Sequence, residues 1–181
     1  MIDSEIKKRA SGIKLLLMDC DGVLTDGRIT FLPNADEQKT FHVRDGQGIV
    51  LLHRAGLRSG IISGRSSNLV ERRAKELGIN FVRQGSWNKI EDFEEILDQA
   101  NVTAEETAFI GDDIADIPLL MRVGLAIAVA DSVPETKRAA HLVTSLNGGF
   151  GAVREATDLI LQSQQKWVDL MNEYFDFKNL S

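Results

Sequence analysis

One cysteine, Cys20, stands among 181 residues, so no intrachain disulfide can form. A reducing cytoplasm is the expected setting. Prolines number three, and no Pro/Gly/Ser-rich linker or low-complexity stretch divides the chain. No solenoid-like period repeats. Long hydrophobic runs are lacking too. Ile13–Met18, with one lysine inside, is far too short to cross a bilayer. Met1 is followed by Asp3, Glu5, Lys7, Lys8 and Arg9 rather than by a secretory apolar stretch. A basic surplus is absent. Net charge is −6, with 15 basic against 10 acidic residues up to position 90 and 6 against 17 after it. That balance disfavours a general nucleic-acid surface, so neither nucleic acid nor membrane is expected as a partner. What remains, 43% hydrophobic and 27% charged residues, is the composition of one ordinary globular domain over 1–181.

Within it, apolar strand-like runs alternate with helical patterns. Strands are expected at Ile13–Met18, Leu57–Ile62, Asn80–Arg83, Thr107–Ile110, Gly124–Val129 and His141–Val143. Helices are expected at Gly48–Ala55, Ser67–Leu77, Lys89–Ala100, Pro118–Val123, Pro134–Ala139 and Ala152–Gln165. Arg28–Phe31 and Lys39–Val43, flanking a turn-rich stretch with Pro33 and Asn34, read as a hairpin within 27–43. The alternation predicts an α/β fold: a Rossmann-like, doubly wound, mostly parallel sheet with a small β-hairpin insertion. Ligands in such sheets sit beyond the carboxyl ends of the strands. Trp167, Leu170, Tyr174 and Phe175 form an apolar stripe in an acidic tail (152–181), expected to pack on its own fold or on a partner subunit.

Four segments carry chemistry. Asp19-Cys20-Asp21-Gly22 leaves the first strand with two carboxylates at i and i+2, which must bind a cation, share a proton or face water. A polar turn explains that segment equally well. Gly111-Asp112-Asp113-Ile114-Ala115-Asp116 ends another strand. If Asp112 meets Asp19 at the sheet edge, an all-oxygen site results, suited to Mg²⁺ rather than zinc; a helix cap accounts for only one of the acids. Ser63-Gly64-Arg65-Ser66-Ser67 joins strand to helix and offers hydroxyl, backbone and helix N-terminus to an anion, although a plain cap fits too. Lys89 opens a helix, against the dipole, where pairing with acids or phosphate would justify it. Cys20 reads as a small buried hydrophobe. His42, His53 and His141 are too dispersed for a metal site, and Gly148–Gly151 lacks the surroundings of a dinucleotide fingerprint.

In this order the four segments resemble the motifs of haloacid dehalogenase-superfamily phosphatases, capless branch. Asp21–Gly27, Phe41–Ile49, Ser63–Arg65 and Gly148–Glu155 narrow the likeness to phosphatases of 3-deoxy-D-manno-octulosonate 8-phosphate, over roughly residues 10–165. The resemblance implies Asp19 as nucleophile, Asp21 as general acid and base, and Lys89 as a catalytic cation. It implies Mg²⁺ held by the Asp19 side chain, the Asp21 carbonyl and Asp112. Ser63, Gly64 and Lys89 would bind the phosphoryl group, while Asp113 and Asp116 orient Lys89 and metal-bound water. Arg65 would meet the sugar-acid carboxylate, with Arg44 and Arg154 as further candidates. The implied product belongs to lipopolysaccharide biosynthesis. The implied assembly is a homotetramer through the hairpin, with Phe31, Phe41 and Val43 at the contact. Phe150 departs from the family pattern, where an arginine or lysine is common. A nine-carbon 2-keto sugar-acid phosphate as substrate, a catalytically silent tetramerisation module, and a phospho-receiver switch are the competing readings.

Overall fold

The computed structural model describes residues 3–33 and 37–174. In chain order the elements are α1 (Ser4–Ser11), β1 (Leu15–Met18), β2 (Thr30–Phe31), β3 (Glu37–Gln38), α2 (Val43–Arg54), β4 (Arg58–Ser63), α3 (Asn68–Leu77), β5 (Phe81–Gln84), α4 (Lys89–Ala100) and β6 (Thr107–Gly111). A 3₁₀ turn (Ile114–Asp116) leads into α5 (Ile117–Leu120), followed by β7 (Leu125–Ala128), α6 (Pro134–Ala139), β8 (Leu142–Val143), α7 (Ala152–Ser163) and α8 (Trp167–Asn172).

Six strands form one parallel sheet, ordered β5-β4-β1-β6-β7-β8, and β2 and β3 form a separate antiparallel pair. The expected doubly wound sheet with a small hairpin is thus present. β1 is buried on both sides of the sheet, which explains its unbroken apolar run. Leu16 and Met18 face one layer with Ile49, Leu52, Val153 and Ile160. Leu15 and Leu17 face the other with Phe93, Ile96, Phe109 and Leu119. The chain lays β4 and β5 on one side of β1, then β6, β7 and β8 on the other. The order therefore reverses beside β1, where the crevice opens beyond the strand ends.

One helix was not expected, and two local expectations are corrected. The charged N-terminus forms helix α1, capped by Asp3, whose carboxylate accepts from the Glu5 N–H. Only Ala10 on it is fully buried, so periodicity gave no signal. The second hairpin arm is not Lys39–Val43. The ladder pairs Thr30 with Gln38 and Phe31 with Glu37, and Val43 opens α2. Phe41 instead packs on its own core, with Arg73 over its ring at 5.9 Å. The final helix ends at Ser163, and after Gln165, which adopts φ 59°, the chain restarts as α8. There Leu170 is buried, Trp167 packs beside it, and Arg54 donates to the Tyr174 hydroxyl. Asn34, Phe175 and the rest of the tail lie outside the described residues.

Candidate active site

The carboxyl ends of β1, β4, β5 and β6 bring the predicted segments together. Asp19 follows β1, and its N–H donates to the Ile110 carbonyl of β6, extending the sheet by one bond. Lys89, the first residue of α4, is aimed at it. Its Nζ donates to Asp19 Oδ1 and to Asp116 Oδ1, both at 2.7 Å. Asn88 caps that helix through the Ile90 N–H, so Lys89 is set by the cap while its charge is matched by acids. Burial works to lower the Lys89 pKa, but Asp19 and Asp116 outweigh it and hold the ammonium above its ordinary range.

Asp116 is 1% exposed and fully engaged. One oxygen takes Lys89; the other accepts from the Asp112 N–H at 2.9 Å. It is therefore a support, fixing Lys89 and the β6 loop at once. Asp113 goes elsewhere: it is exposed, and its carboxylate caps the 3₁₀ turn through the Ile114 N–H. The expectation that Asp113 also orients Lys89 is replaced by that cap.

Asp19, Asp112 and Asp116 place carboxylate oxygens within 4.8 Å of one another. Gly22, at φ 91°, makes this possible, because a side chain there would occupy the position of the Asp112 carboxylate. Burial and the charges of Asp19, Asp116 and Asp113 push Asp112 up to about 8. Burial raises Asp19 to about 6, against the pull of Lys89. One ammonium cannot balance three carboxylates. With Asp116 already satisfied, Asp19 and Asp112 are the acids left for a hard divalent cation, and all-oxygen donors fit Mg²⁺.

Ser63 ends β4, buried, and its carbonyl accepts from the Ser86 N–H in the loop before Lys89. Exposed Gly64 and the capping Ser67 lead into α3. Asp21 is held by two cations: Lys39 from the segment after β3, and Arg65, whose Nε lies 3.4 Å from Asp21 Oδ2. Sequence reasoning missed Lys39 and its neighbour Glu37; no spacing rule links them to Asp21, and only the folded hairpin does. Arg44 and Arg154 do not join this group. They line a separate cleft of about 680 Å³ with Leu146, Phe150 and Leu159, and Arg154 is paired with Asp158 at 2.6 Å. Cys20 is buried in the core, its thiol pushed up by burial and by Asp21 and Asp19, so it is no nucleophile. Gly148 and Gly149 lie directly on the Gly22–Asp26 backbone, where Gly149 N–H donates to the Val23 carbonyl at 2.9 Å.

A family model for haloacid dehalogenase-like hydrolases matches residues 79–156. The 3-deoxy-D-manno-octulosonate 8-phosphate phosphatase of Yersinia pestis is 43% identical over 165 residues, covering 91% of this chain and 88% of that protein. The chain belongs to the haloacid dehalogenase-like phosphatases. The counterpart from Escherichia coli K12 is 42% identical over the same share of each chain. A crystal structure of that phosphatase from Moraxella catarrhalis, in complex with magnesium, phosphate and the sugar acid, superposes with a TM-score of 0.93 at 36% identity. It covers 96% of this chain and 99% of that one. The acid cluster, the lysine and the strand-end serine lie together beyond the carboxyl ends of the parallel strands, where ligands sit in open α/β sheets.

Proposed function

We propose that this enzyme hydrolyses 3-deoxy-D-manno-octulosonate 8-phosphate to the free sugar acid and phosphate, a step of lipopolysaccharide biosynthesis, using Mg²⁺. The observation that carries the reading is the Asp19–Lys89–Asp116 ion-pair chain beside Asp112, in a chain 43% identical to a phosphatase of that substrate. Asp19 Oδ attacks phosphorus in line and expels the sugar oxygen, forming an aspartyl-phosphate. Asp21, two residues on, protonates the departing oxygen and later takes a proton from the water that hydrolyses the acyl phosphate. Lys89 holds Asp19 in place and, with Ser63 and the Gly64 backbone, receives phosphoryl oxygens. Mg²⁺, held by Asp19, the Asp21 carbonyl and Asp112, would supply the positive charge that lets one anion approach another. Arg65 receives the sugar-acid carboxylate.

The same reading makes the enzyme a cytoplasmic homotetramer joined through its hairpins. Phe31 and Val43, 75% and 79% exposed, support such a contact, whereas Phe41 is used within the subunit. Among the described residues no helix is long and apolar enough to cross a membrane. Phosphate release should be measured with Mg²⁺ on the eight-carbon substrate, its nine-carbon relative, hexose phosphates and nucleotides, with Asp19→Asn beside it. Preference for the eight-carbon acid, lost in Asp19→Asn, is expected; equal turnover of hexose phosphates would contradict the assignment. Sedimentation of Phe31→Asp should give a species smaller than the wild type, and an unchanged mass would remove the hairpin from the assembly.

A further inference from the structure

At the hairpin side of the site, Arg65 is already occupied. Its guanidinium donates to Glu37 Oε2 at 3.1 Å and lies 3.4 Å from Asp21 Oδ2. Lys39 pairs with the same Asp21 and lies 4.0 Å from the same Glu37, with its side chain only 2% exposed. Two carboxylates and two cations therefore balance one another. A sugar-acid carboxylate that is to meet Arg65 must take N–H groups already engaged by protein carboxylates. Asp21 sits in the nucleophile loop and is tied by Lys39. Glu37 sits on β3, a two-residue strand paired only with β2. Should Glu37 leave Arg65, it keeps Lys39, 4.0 Å from its Oε1, as a partner. Should it stay, it places a like charge beside the incoming carboxylate.

We infer that Glu37 is a specificity-determining residue: it competes for Arg65 and yields only to a ligand that brings a carboxylate there and a phosphoryl group to Ser63 and Lys89. An anion making one of the two contacts gains too little to displace it, so discrimination comes from an internal competitor as well as from attraction. The inference rests on the proposed sugar-acid substrate and on Arg65 as its reader.

Glu37→Gln tests it, with three ligands. The KM for the eight-carbon sugar-acid phosphate should fall about fivefold, the scale of one partly screened ion pair. Inhibition by the free sugar acid should tighten by a similar factor. The KM for p-nitrophenyl phosphate, which has no carboxylate, should not move, and this substrate also reports that the variant is folded. Added to Arg65→Ala, Glu37→Gln should give no gain. An unchanged or raised KM for the sugar-acid phosphate, or an equal fall with both substrates, overturns the inference. If the wild type cleaves p-nitrophenyl phosphate but not the sugar-acid phosphate, the substrate reading itself fails and the inference falls with it; that outcome is distinct from an unmoved KM.

Discussion

Two charge clusters lie side by side in this molecule, and they are built differently. Asp19, Lys89, Asp112 and Asp116 grow from the ends of central strands and from a capped helix, and Asp116 spends both oxygens on holding the others. Asp21, Lys39, Glu37 and Arg65 are joined across a two-stranded hairpin and the exposed start of the β4–α3 loop. The first cluster carries excess negative charge in a buried place and is fixed by backbone. The second is balanced in charge and held mostly by side chains. In the proposed reaction the chemistry common to many substrates needs the fixed cluster together with Asp21; choosing one substrate needs the adjustable pair of Glu37 and Arg65.

Breaking the fixed cluster should have the largest effects. Asp19→Asn is expected to lower kcat by at least about a thousandfold on every phosphate ester, since the proposed reaction would lose its attacking oxygen. The same change relieves repulsion with Asp112 and Asp116, so thermal unfolding of the metal-free protein should show no loss of stability. Lys89→Met should cost about a hundredfold in kcat and about 3 kcal/mol of stability, because it leaves buried Asp19 and Asp116 facing each other. Denaturant titration and steady-state kinetics check both.

A smaller loss is expected from Asp45→Asn, which lies outside either cluster. The buried Asp45 carboxylate accepts from the Gly151 and Arg154 N–H groups and so caps α7 from across the fold. An amide can accept only one of those bonds, so about 2 kcal/mol should be lost in denaturant titration. The last prediction is a pH dependence in which the fixed cluster shows the response to metal. Asp112, raised to about 8, and Asp19, raised to about 6, bind protons in the folded metal-free protein that the unfolded chain has released. Their contribution to stability therefore falls as pH rises from about 4 to about 8. Mg²⁺ binding displaces those protons, so its apparent affinity should rise over the same range. The difference in Tm with and without Mg²⁺ should be larger at pH 8 than at pH 5.5; a constant difference would contradict the raised carboxylates.

The same division explains what could be read in the sequence. Strands β1 and β6 announce themselves as buried, mostly apolar runs and β4 through Ile61 and Ile62, and each leads into a segment of the candidate site. The helices Lys89–Ala100 and Pro134–Ala139 have the expected bounds because Asn88 and Pro134 mark their starts. Asp19, Ser63, Lys89 and Asp112 were legible for this reason. Lys39 and Glu37 were not, since their partners Asp21 and Arg65 lie 18 and 28 residues away across a hairpin whose register the sequence leaves open. Asp113 and Asp116 look alike in a row of acids; only the turn that buries Asp116 and exposes Asp113 separates the pair on Lys89 from the cap. Arginines carry little positional information, and Arg44 and Arg154 fall in another cleft.

The division of labour is tested most directly by Arg65→Ala, assayed with Mg²⁺ on the eight-carbon sugar-acid phosphate and on p-nitrophenyl phosphate. The account predicts a fall in kcat/KM of at least about tenfold for the first, with a much smaller fall for the second, since Lys39 still holds Asp21. Equal falls on both substrates would place Arg65 in the common chemistry and contradict the separation of the two clusters.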